Sequence, residues 1–237
     1  EKLGAIGVNE FGKELSDAGA TATRLGFGFD DMATSVEELS SNFGVSFDDA
    51  IGISESTMDT ARALGISTKE SAQLTGMLMT MAGLSADTAQ NFLKQTAALA
   101  KSAGVAPSAV MSDIAGSSAD IAGFMKDGGD NIAQAAVKAR TLGINIGDVA
   151  KAARGMLEFQ SSIKDEMTAS VMIGRQLNFQ KARELALAGD LENFQNEILK
   201  QVGDESEFLN LNVLQREALA KAAGFELDSL TKLVYLG

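Results

Sequence analysis

The sequence has no cysteine, no histidine and no tryptophan, and it has a single proline, Pro107, among 237 residues. Without cysteine the chain can form no disulfide and no thiolate zinc site, and it has no cysteine nucleophile. Without histidine it also lacks the commonest general base and the commonest transition-metal ligand. These absences predict that the chain is not an enzyme and that it binds no cofactor and no metal.

Positive charge and long apolar runs are also scarce. The chain has 20 Lys and Arg against 32 Asp and Glu, a net charge of −12, and no basic cluster dense enough to neutralise several phosphates. Nonspecific nucleic-acid binding is therefore disfavoured. The most apolar run, residues 74–84, is far shorter than the ~20 residues of a spanning helix. We expect no nucleic-acid binding, no membrane span and no small-molecule substrate for this segment, and its start at Glu1 predicts a fragment of a longer chain.

Few aromatic residues and abundant glycine together favour short helices joined by tight turns. Aromatics are 5% of the chain, and its 24 glycines mostly follow helical runs. Between residues 63 and 105, three predicted turns each pair a glycine with a following apolar residue: Gly65-Ile66, Gly83-Leu84 and Gly104-Val105. Such a pair ends a helix, because glycine takes the left-handed conformation and the apolar residue packs back on the last turn. Residues 67–70, Ser-Thr-Lys-Glu, then predict a capping box at the next helix.

The spacing of these turns predicts a repeat. Four turn glycines lie 39 residues apart, and two intermediate ones are also 39 apart: Gly26, Gly65, Gly104 and Gly143, with Gly44 and Gly83 between them. Gly123 falls one residue late for the next intermediate position. A fixed period of this length is typical of stacked supersecondary units. We therefore predict an all-α array of short helical hairpins, either solenoid-like or a compact bundle. Chance spacing among abundant glycines is the alternative interpretation.

The character of the sequence changes near residue 147. Residues 1–147 are predicted to form the repeated hairpins, with a first helix from about Asn9, and residues 148–237 to form a second helical region. The second region comprises one long or kinked helix over 148–176, a hairpin over 178–202, and a last hairpin whose turn is Gly224-Phe225. Val149, Met156, Ile163 and Met167 are expected to share the apolar stripe of the long helix. A continuous helical array is the alternative to two regions.

The remaining motifs favour structural interpretations. Paired acids at 30–31, 37–38 and 48–49 lie in predicted first helical turns or on polar faces, where carboxylates stay solvated. Residues 127–131 lack the spacing of a calcium loop, and residues 26–28 lack the third glycine of a dinucleotide fingerprint. Met77, Met79 and Met81 alternate within one predicted helix and cannot share one face. Core packing is the preferred interpretation of these methionines, with an oligomer interface as the alternative.

Three phrases between residues 61 and 105 resemble the core region of phage tail tape measure proteins. They are A-R-A-L-G-I-S at 61–67, E-S-A-Q-L at 70–74 and A-G-L-S-A-D-T-A at 82–89. A helix-turn-helix phrase is typical of that family. Its first half is matched here by Leu64, Gly65, Ile66, Ser67, Glu70, Ala72 and Leu74, and its second half by Ala82, Gly83, Leu84 and Ala89. Degenerate copies extend the resemblance over residues 26–150, and it does not reach residues 175–237.

The resemblance implies a structural role in a phage tail. The parent chain would lie inside the tail tube, set the tail length during assembly in the host cytoplasm, and contact the baseplate hub in the virion. Self-association as a small symmetric oligomer and binding to other tail proteins are implied in the same way. The short glycine-terminated hairpins depart from an extended coiled coil and favour a globular part of such a chain. Alternatives are an α-helical solenoid adaptor that binds a protein partner and a membrane-active segment.

Overall fold

The computed structural model describes residues 12–24 and 26–237. This part of the chain contains fifteen α-helices and no β-strand, which confirms the predicted all-α fold. The helices are α1 (Gly12–Arg24), α2 (Phe29–Glu37), α3 (Phe47–Leu64), α4 (Thr68–Met81), α5 (Ala86–Ser102), α6 (Pro107–Gly116), α7 (Ser118–Ile121), α8 (Asp130–Thr141), α9 (Ile146–Leu157), α10 (Phe159–Ile173), α11 (Gln180–Leu187), α12 (Leu191–Val202), α13 (Glu205–Leu209), α14 (Val213–Ala223) and α15 (Leu227–Leu236). A π-helical turn (Glu38–Asn42) extends α2, and two 3₁₀ turns (Ala122–Phe124 and Asp127–Gly129) precede α8. The predicted start of the first helix, residues 9–11, lies outside the described residues.

The described residues group into two compact units. The first comprises those up to Ser102 together with Ala106–Ser118, and the second comprises Ala103–Val105 and Ala119–Gly237. The boundary predicted after residue 147 lies within the second unit, inside the first turn of α9, which packs on α8. None of the described helices is both long enough and apolar enough to cross a bilayer.

In the first unit each helix packs on the helices that follow it in sequence. Helix α2 contacts α3 and α4, α3 contacts α4 and α5, and α4 contacts α5 and α6. This order of contacts, to the next helix and the next but one, is that of stacked hairpins. The core between these helices contains buried hydroxyl groups, and Ser71 of α4 donates to the carbonyl of Thr57 in α3 at 2.7 Å. Its buried apolar cluster is built from small and flexible side chains: Ala22, Met32, Val36, Leu39, Ala50, Met58 and Ala72.

The second unit is built on contacts between helices that are distant in sequence. Helix α9 packs on α11, α8 packs on α12, and α10 packs on α14. Three phenylalanines, Phe179, Phe194 and Phe208, are fully buried there. The ring of Phe194 stacks on that of Phe225, directly after Gly224, with 6.5 Å between their centroids. The turn at Gly224 thereby brings an aromatic side chain into this core.

The helix predicted over residues 148–176 is broken at Glu158. This residue has φ −80° and ψ 71°, which interrupts the helical backbone between α9 and α10. The predicted apolar stripe is therefore wrong beyond the break, because the stripe assumes one continuous helical register. Val149 and Met156 are buried, whereas Ile163 is 46% exposed and Met167 is 65% exposed.

Candidate assembly surface

The seven predicted turn glycines all have left-handed backbone conformations. Their φ values lie between 67° and 79°: Gly26, Gly44, Gly65, Gly83, Gly104, Gly143 and Gly224. Gly123, the position one residue out of register, lies instead in the 3₁₀ turn Ala122–Phe124. The structure thus distinguishes it from the in-register glycines.

Six of the seven predicted turns fall into two hydrogen-bond classes, which alternate over the four turns from Gly26 to Gly83. In one class the residue after the glycine donates its N–H to the carbonyl five residues back: Phe27 to Ala22 at 2.8 Å, Ile66 to Ala61 at 3.1 Å, and Ile144 to Ala139 at 3.0 Å. In the other class it donates six residues back: Val45 to Leu39 at 3.1 Å and Leu84 to Leu78 at 3.2 Å. The first class occurs at Gly26, Gly65 and Gly143 and also, outside the 39-residue register, at Gly224; the second occurs at Gly44 and Gly83. Between Gly26 and Gly83, the 39-residue spacing therefore relates turns of the same hydrogen-bond class.

The turn at Gly65 is tied to the following hairpin through Glu70. The N–H of Ser67 donates to Oε2 of Glu70 at 2.8 Å, and the N–H of Glu70 donates to Oγ of Ser67 at 3.2 Å, which forms the capping box. Partial burial raises the pKa of Glu70, but hydrogen bonds from the Ser67 and Ser112 hydroxyls and the Ser67 N–H outweigh it, so the net pKa is lowered from 4.5. Ser112 belongs to α6, so this carboxylate joins two successive hairpins.

A second contact joins two turns of the same class. The guanidinium of Arg62 lies over the ring of Phe27, with its central carbon 4.9 Å from the ring centroid. Phe27 follows Gly26, and Arg62 lies three residues before Gly65, so the contact links turns that are one period apart. A cation over an aromatic face is worth about 0.5–1 kcal/mol at an exposed site. This contact joins two turns one period apart, and the Glu70 contact joins the Gly65 turn to α6.

The three methionines proposed as a candidate interface differ in exposure. Met77 is 2% exposed and packs inside the first unit, Met79 is half-buried, and Met81 is 46% exposed at the end of α4. Met81 is therefore the one of the three that presents a large apolar surface to solvent.

A larger exposed apolar surface is on α10, whose Ile163 and Met167 belong to the predicted apolar stripe. Phe159, Ile163, Met167 and Val171 follow one another at intervals of four and are 51%, 46%, 65% and 83% exposed. Residues four apart lie on neighbouring turns of one helix face. Their spacing is visible in the sequence, but the break at Glu158 that turns them away from the core is not.

A buried ion pair holds α10 against α11. Arg183 donates from Nη2 to Oε2 of Glu166 at 2.5 Å and from Nε to Oγ of Ser162 at 3.0 Å. The side chains of Arg183 and Glu166 are 9% and 16% exposed. Glu166 also accepts the N–H of Phe179, just before α11, at 3.3 Å. These contacts fix the position of α10 and therefore the direction in which its apolar residues point.

The second unit contains an acidic concavity whose wall is held by side-chain hydrogen bonds. It measures about 340 Å³ and its lining includes Asp127, Asp130, Asp190 and Glu192. The amide of Asn131 donates to the carbonyl oxygens of Phe124 at 2.7 Å and Gly189 at 3.1 Å, which joins two turns at its wall. Within residues 12–24 and 26–237, no group of three or more ligating side chains is arranged to hold a metal ion.

No protein-family model, curated protein or solved structure matches this chain. A function is therefore argued from the repeated turns, the exposed residues of α10 and the resemblance of residues 61–105.

Proposed function

We propose that this chain is a structural, non-catalytic assembly domain of a phage tail, with a role like that of tape measure proteins. The observation that carries the proposal is the recurrence of two turn classes at a 39-residue spacing between Gly26 and Gly83. The phrases at 61–67 and 82–89, which carry the resemblance, each contain one of these turns, at Gly65 and Gly83. The resemblance thus falls on the elements that repeat.

The described geometry suits a passive assembly element. Stacked hairpins joined by capped turns make a firm local framework, because each unit buries its apolar face against its neighbours. The chain also offers apolar residues to solvent on α10, which a binding surface requires. In this role the chain lies in the virion tail against the tube or the baseplate hub, and its partners are other tail proteins and copies of itself.

A second candidate function is an α-helical adaptor that binds one protein partner. The packing of each helix of the first unit on the next but one favours it, since solenoid adaptors use the same order of contacts. An adaptor of this kind works as a free-standing monomer outside any particle. The two functions therefore differ in where the chain is found and in its state of assembly.

The test is to locate the chain in particles made by the genome that encodes it. Purified tails are analysed by quantitative mass spectrometry and by gold-labelled antibodies raised against residues 12–237. The proposal predicts peptides at a fixed ratio to the tail proteins and gold at the tail or its tip. Absence from purified particles, with the chain recovered as a soluble monomer, would overturn the proposal and favour the adaptor.

A further inference from the structure

The exposed apolar residues of α10 form a continuous stripe. The four residues from Phe159 to Val171 span about 18 Å along the helix at ~1.5 Å per residue. We call this surface the α10 face: Phe159, Ile163, Met167 and Val171.

We propose that the α10 face binds the same face of a second copy of this chain, with the two α10 helices antiparallel about a two-fold axis. In a two-fold interface, if residue i of one copy contacts residue j of the other, then j also contacts i. The inference adds a specific contact to the proposed assembly role, and its biological purpose rests on that proposed function. The geometric argument depends on the residues of α10 alone.

The side-chain sizes along the stripe favour the antiparallel arrangement. With the axis at the level of residue 165, Phe159 lies opposite Val171 of the other copy, and Ile163 lies opposite Met167. One layer then pairs the largest side chain with the smallest and the other pairs two of similar size, so the layers have similar thickness and can interdigitate. Parallel helices would place Phe159 against itself at one end and Val171 against itself at the other, which leaves a wedge-shaped gap.

The apolar area of the face is close to that of a small dimer interface. Full burial of one large apolar side chain removes on the order of 100 Å² from water. At exposures of 46–83%, the four residues together offer roughly 250 Å² per copy on that basis. Since somewhat over half of an ordinary interface is apolar, this corresponds to about 900 Å² buried in total, close to the lower bound of about 1,000 Å² for a specific interface.

Charge also favours contact between copies at this face. The net charge of −12 makes two copies repel one another. Among the exposed side chains of α10 between Phe159 and Met172, Lys164 carries the single formal charge. Asp165 and Glu166 are neutralised within the same molecule by Lys221 at 3.0 Å and by Arg183. Two copies can therefore approach at the α10 face without bringing unpaired carboxylates together.

Sedimentation equilibrium of the purified chain tests the association. The chain should dimerise, and both Met167→Glu and Val171→Glu should weaken the dimer at least tenfold, because each puts a charge inside the interface. The control is Leu236→Glu on α15, which is 58% exposed and lies against Gly143, away from the face, so it should leave the dissociation constant unchanged. All three variants should have the same melting temperature as the parent chain, since the replaced side chains face solvent.

Two results would overturn the proposal. One is a chain that stays monomeric at millimolar concentration, and the other is a Met167→Glu variant that dimerises as tightly as the parent. If tail particles contain the chain but it does not pair through α10, the inference fails while the proposed function stands. If the dimer forms and particles lack the chain, the proposed function fails alone.

Disulfide trapping tests the orientation, since the chain has no cysteine of its own. Ile163→Cys and Met167→Cys variants are oxidised separately and as an equimolar mixture. The antiparallel arrangement predicts that the mixture forms the mixed disulfide fastest, because positions 163 and 167 face each other. Faster formation of the two homodimeric disulfides would overturn the antiparallel pairing.

Discussion

The ring of Phe43 rests directly on the backbone of α4 at Gly76. A methyl group at position 76 would lie 2.5 Å from Cδ2 and 2.6 Å from Cγ of Phe43. Phe43 directly follows the π-helical turn Glu38–Asn42, and Gly76 lies in the interior of α4. A glycine inside a helix costs roughly 0.5–1 kcal/mol relative to alanine. Here it allows an aromatic ring to approach the helix more closely than any side chain would permit.

Replacing Gly76 by alanine should destabilise the first unit. The added methyl overlaps atoms near the base of the Phe43 side chain, which cannot swing away as the tip of a long chain could. Overpacking of this kind costs about 1–3 kcal/mol. The control is Gly52→Ala in the interior of α3, where nothing lies within 4 Å of the added methyl; it should stabilise by about 0.5–1 kcal/mol. Urea unfolding measures both, and changes of the same sign would contradict the prediction.

The turn glycines should differ in their tolerance of alanine. Gly44 and Gly224 both have positive φ, at 67° and 79°, and a left-handed alanine costs about 1–2 kcal/mol. Around Gly44 the space is open, whereas a methyl at position 224 would lie 2.8 Å from the carbonyl oxygen of Ala152. That oxygen belongs to the backbone of α9 and cannot move alone. Thermal melts should therefore show a larger loss for Gly224→Ala than for Gly44→Ala; equal losses would show that only backbone strain matters.

The helices and their turns could be predicted from the sequence because they depend on neighbouring residues. The pair Gly65-Ile66 and the capping residues Ser67 and Glu70 each act within a few positions, so their types and spacing are sufficient. The sequence is compatible with a kink in the helix over 148–176, but it does not locate the break at Glu158, since no glycine or proline lies within two residues of it. The contact of Phe43 with Gly76 joins residues 33 positions apart and depends on how α4 packs against the end of α2.

The exposure of α10 escaped prediction for a related reason. Apolar residues at intervals of four indicate one face of a helix, and such a face is usually the buried one. Whether it points inward depends on the break at Glu158 and on the pairing of Arg183 with Glu166, which are both tertiary features. The candidate surface therefore became visible only when the direction of α10 was known.

Removing the charge of Glu166 should strongly destabilise the second unit. Glu166→Gln preserves the shape of the side chain but leaves the guanidinium of Arg183, which is 9% exposed, without its anionic partner. Loss of one member of a buried pair costs about 3–5 kcal/mol. The control is Glu184→Gln on α11, whose ion pair with Lys181 is exposed at 54% and 60%; it should change the free energy of unfolding by less than ~0.5 kcal/mol. Equal effects in urea unfolding would show that the Arg183 pair is solvated.

The capping box at Ser67 should make the stability of the first unit depend on pH in the acidic range. Hydrogen bonds lower the pKa of Glu70 in the folded chain below its ordinary value of 4.5. A carboxyl group whose pKa is lower in the folded state binds fewer protons there than in the unfolded state. Its contribution is therefore fully present above pH 4.5 and is lost as the pH falls through the folded pKa.

The variant Glu70→Gln isolates this contribution, because glutamine can also complete a capping box but does not titrate. The parent chain should be more stable than the variant above pH 4.5, and the difference should shrink as the pH falls below that value. Urea unfolding at a series of pH values measures the difference. Glu184→Gln is the matched control, with the same chemical change at an exposed position outside the cap. A difference between the parent and Glu70→Gln that is constant across the acidic range would show that the Glu70 carboxylate does not stabilise the turn through its charge.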